Sequence, residues 1–126
     1  MNQIKTILII EDNEVMRQSL VESLKNSWLN VFESNSGEEG LKIALQEHPD
    51  LILLDLIVKE MSGMNFLKQL RQDDWGKTAS VVVLTNLDDP EIKSEAENFE
   101  ISDFLIKKDW PLPDLAIRIK KKLGLH

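Results

Sequence analysis

Four short apolar runs each end in a residue that can do chemistry. Glu11 and Asp12 follow Ile7-Leu8-Ile9-Ile10, Asp55 follows Leu51-Ile52-Leu53-Leu54, Thr85 follows Val81-Val82-Val83-Leu84, and Lys107 follows Phe104-Leu105-Ile106. If the chain gathers these ends, three carboxylates converge with a hydroxyl and an ammonium. Crowded carboxylates repel, which raises the pKa of at least one unless a divalent cation lies among them. Mg2+ suits such a cleft, because it prefers a few carboxylates, waters and phosphate oxygens to a closed protein cage. Thr85 and Lys107 then offer a donor and a point charge to the other oxygens of a phosphoryl group. Asp55 is the candidate nucleophile, since a carboxylate can take a phosphoryl group as an acyl phosphate.

Taken singly, most of these residues have a plainer reading. Glu11 and Asp12 serve equally as acids at the positive end of a helix dipole. Thr85 serves as a turn residue, and Lys107-Lys108 as surface charge. Asp55 is different, because a carboxylate straight after four buried aliphatics is costly without partners.

The elements that must position these residues follow from the periods. Continuous apolar runs read as strands covered on both faces, as in a parallel sheet flanked by helices. A weaker strand, Leu29 to Glu33, belongs at an edge. Between the runs the period becomes helical: Met16, Leu20 and Leu24, with Val21 and Trp28, form one stripe. Ser36-Gly37-Glu38-Glu39 has capping-box spacing before Leu41, Ala44, Leu45 and His48. Phe66, Leu67 and Leu70 mark a third helix. Asp89-Pro90 starts a fourth that turns Ile92, Ala96 and Phe99 inward. A fifth turns Leu112 or Ala116, Ile119 and Leu123 inward and ends at Gly124. Strand and helix alternate five times, which predicts a flavodoxin-like doubly wound (βα)5 fold with a parallel sheet of order 2-1-3-4-5. Residues 1–126 are expected to form one domain with no output domain.

The chain resembles the receiver domain of two-component response regulators. The likeness rests on Ile7 to Asn13, Asp50 to Leu56, Met61-Ser62-Gly63, Val82 to Thr85 and Asp103 to Lys107, in this order and with these separations. It implies Asp55 as phosphoacceptor, and Glu11, Asp12, Asp55 and the backbone carbonyl of Ile57 as ligands of Mg2+, with Mn2+ as a substitute. It implies Thr85 and Lys107 as phosphate contacts, and Phe104, with Thr85, as a switch residue. Phe104 read alone is a core aromatic.

Four positions depart from the family pattern. Lys59 replaces the proline common four residues after the phosphoacceptor, so the loop there is expected to be less rigid. Asn86 stands where a small residue is usual and crowds the path of Thr85. Lys108 replaces the proline after the lysine. Glu100 replaces a glycine before the fifth strand. Ile57 and Leu87, which by the resemblance flank the path of an attacking water, are both apolar, and this implies a long-lived acyl phosphate.

Composition bounds the rest. Fifteen basic against 22 acidic residues, a net charge of −7, argue against direct nucleic-acid binding. No apolar run approaches the roughly 18 residues that span a membrane. The start of the chain lacks the form of a secretory signal. No cysteine is present, which fits a cytoplasmic setting and excludes thiolate chemistry. His48 and His126 are isolated. The chain is expected to be a phosphorylation-activated switch rather than an enzyme, and a monomer or weak homodimer. Its expected partners are a sensor histidine kinase or histidine phosphotransfer protein and an unlinked effector, reached through the face of helix 4, strand 5 and helix 5. The basic residues Arg118, Lys120, Lys121 and Lys122 read equally as a solvated helix face. Two alternatives stand beside this reading: a pseudo-receiver acting as a constitutive interaction module, and a flavodoxin-like cofactor binder or small hydrolase. The second lacks a glycine-rich phosphate cradle.

Overall fold

A computed structural model describes residues 3–125; Met1, Asn2 and His126 lie outside the described residues. The elements run β1 (Lys5–Ile10), α1 (Glu14–Leu24), β2 (Leu29–Ser34), α2 (Gly37–Glu47), β3 (Leu51–Leu54), α3 (Gly63–Leu70), β4 (Val81–Thr85), α4 (Pro90–Glu97), β5 (Asp103–Ile106) and α5 (Leu112–Lys122). The strands form one parallel sheet, ordered β2-β1-β3-β4-β5.

Alternate residues of each apolar run point to opposite faces, and both faces are covered. Leu8, Ile10, Ile52, Leu54, Val81 and Val83 pack with Leu41, Ala44, Phe66, Leu67, Leu70 and Ala96 of α2, α3 and α4. Ile7, Ile9, Leu51, Leu53, Val82, Leu84 and Leu105 pack with Leu20 and Leu24 of α1 and with Leu115, Ala116 and Ile119 of α5. The runs are continuous because neither face is left to water.

The helix starts follow their caps. Ser36 Oγ accepts from Glu39 N, and Asp89 Oδ1 accepts from Glu91 N ahead of Pro90. Gly124, at φ 75°, ends α5. Three details differ from the sequence reading. Trp28 lies outside α1, half exposed in the turn before β2, because α1 closes at Leu24. Leu45 is partly exposed and His48 is the left-handed C-cap of α2, stacked on Trp75 at 4.4 Å, so the inward stripe of α2 narrows to Gly40, Leu41 and Ala44. In α5, Leu115 is fully buried, a position the sequence does not single out because Pro111 and Pro113 blur the helix start.

At the edge of the sheet away from the strands' carboxyl ends, Arg71 gathers the connections. Its guanidinium donates to the carbonyls of Gly76 (2.7 Å), Ala79 (2.8 Å), Phe99 (2.8 Å) and Glu100 (3.3 Å). Glu100 has φ 57°, the conformation that favours the glycine it replaces. No peptide bond among the described residues is cis, that between Lys107 and Lys108 included.

Candidate functional site

The order of the sheet reverses between β1 and β3, and the loops leaving those strands diverge to open a cleft. Asp55 N donates to Ile10 O at 3.0 Å, while Glu11 N donates to Ser34 O at 3.0 Å. The second ties the end of β1 to that of β2, and the first carries the ends of β3 and β1 side by side. The cleft between them has a volume of about 680 Å3 and is lined by Glu11, Asp12, Asp55, Ile57, Asn86 and Lys107, among others.

Glu11 and Asp55 are buried, 2% and 7% exposed, whereas Asp12 is exposed. Lys107, released from β5 into a short 3-10 turn, donates from Nζ to Glu11 Oε1 at 2.5 Å and to Asp55 Oδ2 at 2.7 Å. The other oxygen of Asp55, Oδ1, accepts from Ile57 N at 3.1 Å. Every buried polar side chain among the described residues has a partner.

Burial pushes the Glu11 carboxyl above its ordinary pKa; the Lys107 hydrogen bond pulls it back, and the charge of Asp55 adds to the rise. For Lys107, burial acts against the ammonium, but its bonds to Asp55 and Glu11 outweigh burial and hold its pKa above the ordinary lysine value. The site is therefore a pair of buried acids short of positive charge, with one lysine shared between them. Among the described residues no three acidic or imidazole side chains stand gathered as a ready coordination sphere. The donors nonetheless suit a hard cation in kind: carboxylate and carbonyl oxygens on an open cleft where water can complete the shell.

The structure thus brings Glu11, Asp12, Asp55, Ile57 and Lys107 to one cleft, whereas Thr85 and Phe104 are not among its lining residues. Thr85 is the last residue of β4, wholly buried, and its Oγ1 accepts from Leu87 N at 3.3 Å. Phe104 lines a separate hollow of about 320 Å3 with Asp88, Asp89, Pro90, Lys93 and Ile106. Asn86 is exposed at the cleft wall. Lys108 reaches Asp88 at 3.5 Å across exposed loops, which leaves Lys107 as the inward lysine.

Two residues were not anticipated. Arg17 donates from Nη1 to Glu11 O at 3.0 Å and from Nε to Glu33 Oε1 at 2.9 Å, tying the acidic turn to β2. Its signal in the sequence is its place beside Met16 on the inward stripe of α1. Trp110 also lines the cleft and lies under the Arg118 guanidinium at 4.9 Å.

Comparison with known proteins agrees with this fold. The family described as response regulator receiver domain matches residues 7–120. Over 122 residues the chain is 33% identical to the polar-differentiation response regulator DivK of Brucella ovis, covering 95% of this chain and 97% of that protein. It is 32% identical to the KDP operon transcriptional regulatory protein KdpE of Escherichia coli over 95% of this chain, but it spans only 52% of KdpE. It likewise spans 31% of a cyclic di-GMP phosphodiesterase of Thermotoga maritima. The solved Mn2+-bound form of response regulator Rcp1 superposes with a TM-score of 0.81 at 26% identity, over 93% of this chain and 92% of that one. Because the family match runs from the first strand into the last helix, the chain belongs to the response regulator receiver domain family of two-component signalling.

Proposed function

We propose that Asp55 accepts a phosphoryl group from the phosphohistidine of a sensor histidine kinase or histidine phosphotransfer protein. The observation that carries this reading is Lys107 Nζ shared between the buried carboxylates of Glu11 and Asp55 at the carboxyl edge of the sheet. An oxygen of Asp55 attacks phosphorus, the P–N bond breaks, and its electron pair returns to the imidazole. Lys107 then trades part of its bond to Asp55 for a phosphoryl oxygen, so its charge follows the charge that moves. The carboxylates of Glu11, Asp12 and Asp55 and the carbonyl of Ile57 would hold Mg2+, which supplies further positive charge to the phosphoryl oxygens; that Rcp1 is described with Mn2+ bound supports either metal.

Thr85 Oγ1, freed from Leu87 N, turns toward the phosphoryl group, and Phe104 moves in its hollow beside Asp89 and Pro90. The altered face of α4, β5 and α5 is then read by a separate effector. The chain is a stoichiometric acceptor rather than a turnover enzyme, acting as a monomer or weak dimer in the cytoplasm. The match to DivK covers 97% of that protein, so a receiver domain of this length can make up nearly the whole of a response regulator. No helix among the described residues is long and apolar enough to cross a membrane.

Incubation with Mg2+ and acetyl phosphate, followed by intact mass measurement, tests this. The expected result is a gain of one phosphoryl group that Asp55→Asn abolishes. No gain in the wild-type chain would instead make it a pseudo-receiver that binds its partner without phosphorylation.

A further inference from the structure

The loop between β3 and α3 carries Ile57 and lacks the proline that stiffens it elsewhere in the family, yet it is held from outside. Gly37 N donates to Lys59 O at 3.0 Å and Glu38 N donates to Glu60 O at 2.7 Å, so two free amides of the first turn of α2 are capped by this loop. Ser36 and Lys59 pair as an isolated parallel bridge. The approach is so close that a Cβ on Gly37 would stand 2.1 Å from Met61 O, and Glu60 and Met61 take positive φ values of 53° and 99° to make it. A non-glycine residue holds such a φ only where its surroundings enforce it. At the other end the loop is tied by Ile57 N to Asp55 Oδ1 and by Gly63 N to Leu56 O.

We infer that Gly37, which does not line the cleft, is a positioning residue for the cation site: through the clasp of α2 on Lys59–Met61 it sets the place of the Ile57 carbonyl. The inference rests on the proposed metal site. Its physical basis is the demand of Mg2+ for near-ideal octahedral geometry at about 2.0–2.1 Å, where Ca2+ accepts looser and longer arrangements. A side chain at position 37 must push Met61 O and move the loop. The loss should therefore be selective for Mg2+.

The test is calorimetric titration of the full chain, wild type and Gly37→Ala, with Mg2+ and separately with Ca2+. In Gly37→Ala the Kd for Mg2+ should rise about tenfold, the usual effect of removing a support behind a ligand, while that for Ca2+ rises less than about threefold. A general loss of stability would weaken both ions alike. Should Gly37→Ala fail to fold, amide exchange in the wild type gives an independent reading. Coupling is reciprocal, so saturating Mg2+ must slow exchange at Gly37 and Glu38 if their bonds support the site. Equal Mg2+ affinity in the folded variant, an unchanged Mg2+ to Ca2+ ratio, or unaltered exchange at both amides would overturn the inference. Failure of the wild type to bind Mg2+ would overturn the metal site itself, a distinguishable result.

Discussion

Replacing Lys107 by methionine removes the one ammonium shared by Glu11 and Asp55 while keeping most of the aliphatic stem. Both bonds are short, 2.5 and 2.7 Å, and the side chains are 3% and 8% exposed for the acids and 15% for the lysine. Breaking a buried pair from one side costs roughly 3–5 kcal/mol, and the open cleft, which admits water, argues for the lower end. A chain of 126 residues unfolds with an entropy near 0.26 kcal/mol/K, so a loss of about 3 kcal/mol lowers Tm by about 11 °C. The loss should depend on pH in a definite direction. Glu11 already has a folded pKa above its ordinary value, chiefly from burial, and the Lys107 bond is what restrains it. Without that bond the folded pKa rises further, and the folded state binds more protons than the unfolded one between the two values. Stability of the variant then falls as pH rises through that window. Lys107 itself, with its pKa raised, keeps its contribution below the ordinary lysine value and loses it only as pH climbs through the folded value. The gap between wild type and variant, followed by thermal unfolding with chelator present, should be wide at pH 8 and narrow toward pH 5. Mg2+ should narrow it at pH 8, because the variant's site is one charge more negative. A gap under about 2 °C, or one that is constant over this pH range, would refute the charge argument.

Three further perturbations test other parts of the structure. Ile57 is 55% exposed at the cleft and Leu87 packs at the core margin; Ile57→Asn with Leu87→Glu should speed loss of phosphate by about tenfold or more, followed by intact mass over time, and no acceleration would count against an apolar shield. Glu100→Gly relieves a left-handed residue at a cost of about 1–2 kcal/mol, part of which unfolded-chain freedom takes back, so a gain near 0.5 kcal/mol, or about 2 °C in Tm, is expected. Arg71→Met strips four carbonyls of a charged donor and should cost about 3 kcal/mol in urea unfolding; a loss below about 1 kcal/mol would show those carbonyls content with water.

Much of this was legible in the residues. Continuous aliphatic runs revealed buried strands, and Ser36 and Asp89 marked helix starts. Glu11, Asp12, Asp55 and Lys107, which follow three of the runs, line the cleft, whereas Thr85 after the remaining run is buried outside its lining. Hydrophobicity alone misplaced Trp28, Leu45 and His48: α1 ends before Trp28, His48 is the cap that closes α2, and Leu45 lies outside the buried stripe of that helix. What residue types could not reveal was contact made by backbone carbonyls. Arg17 on Glu11 O, Arg71 on four carbonyls and the amides of α2 on Lys59 and Glu60 all use acceptors that every residue carries. Lys59 shows the limit most clearly: its side chain suggested a loosened loop, while its carbonyl helps to hold that loop down.

The grip of Arg71 on Phe99 and Glu100 has a mechanical meaning for α4. That helix is only lightly sunk into the protein, with Ala96 its one fully buried residue among the described residues and Ile92 half covered. Its far end is moored by a guanidinium that also clamps the start of β4, whereas its near end hangs on Asn86, Leu87 and Asp88, directly downstream of Thr85. A helix moored by a partly buried guanidinium at one end, and at the other by its own Asp89 cap and the exposed Lys108–Asp88 pair, has the form of a lever with its fulcrum at Arg71. Under the proposed switch, a small displacement at Thr85 should therefore swing the Asp89–Pro90 end, with the residues there moving furthest and Glu97 and Asn98 least.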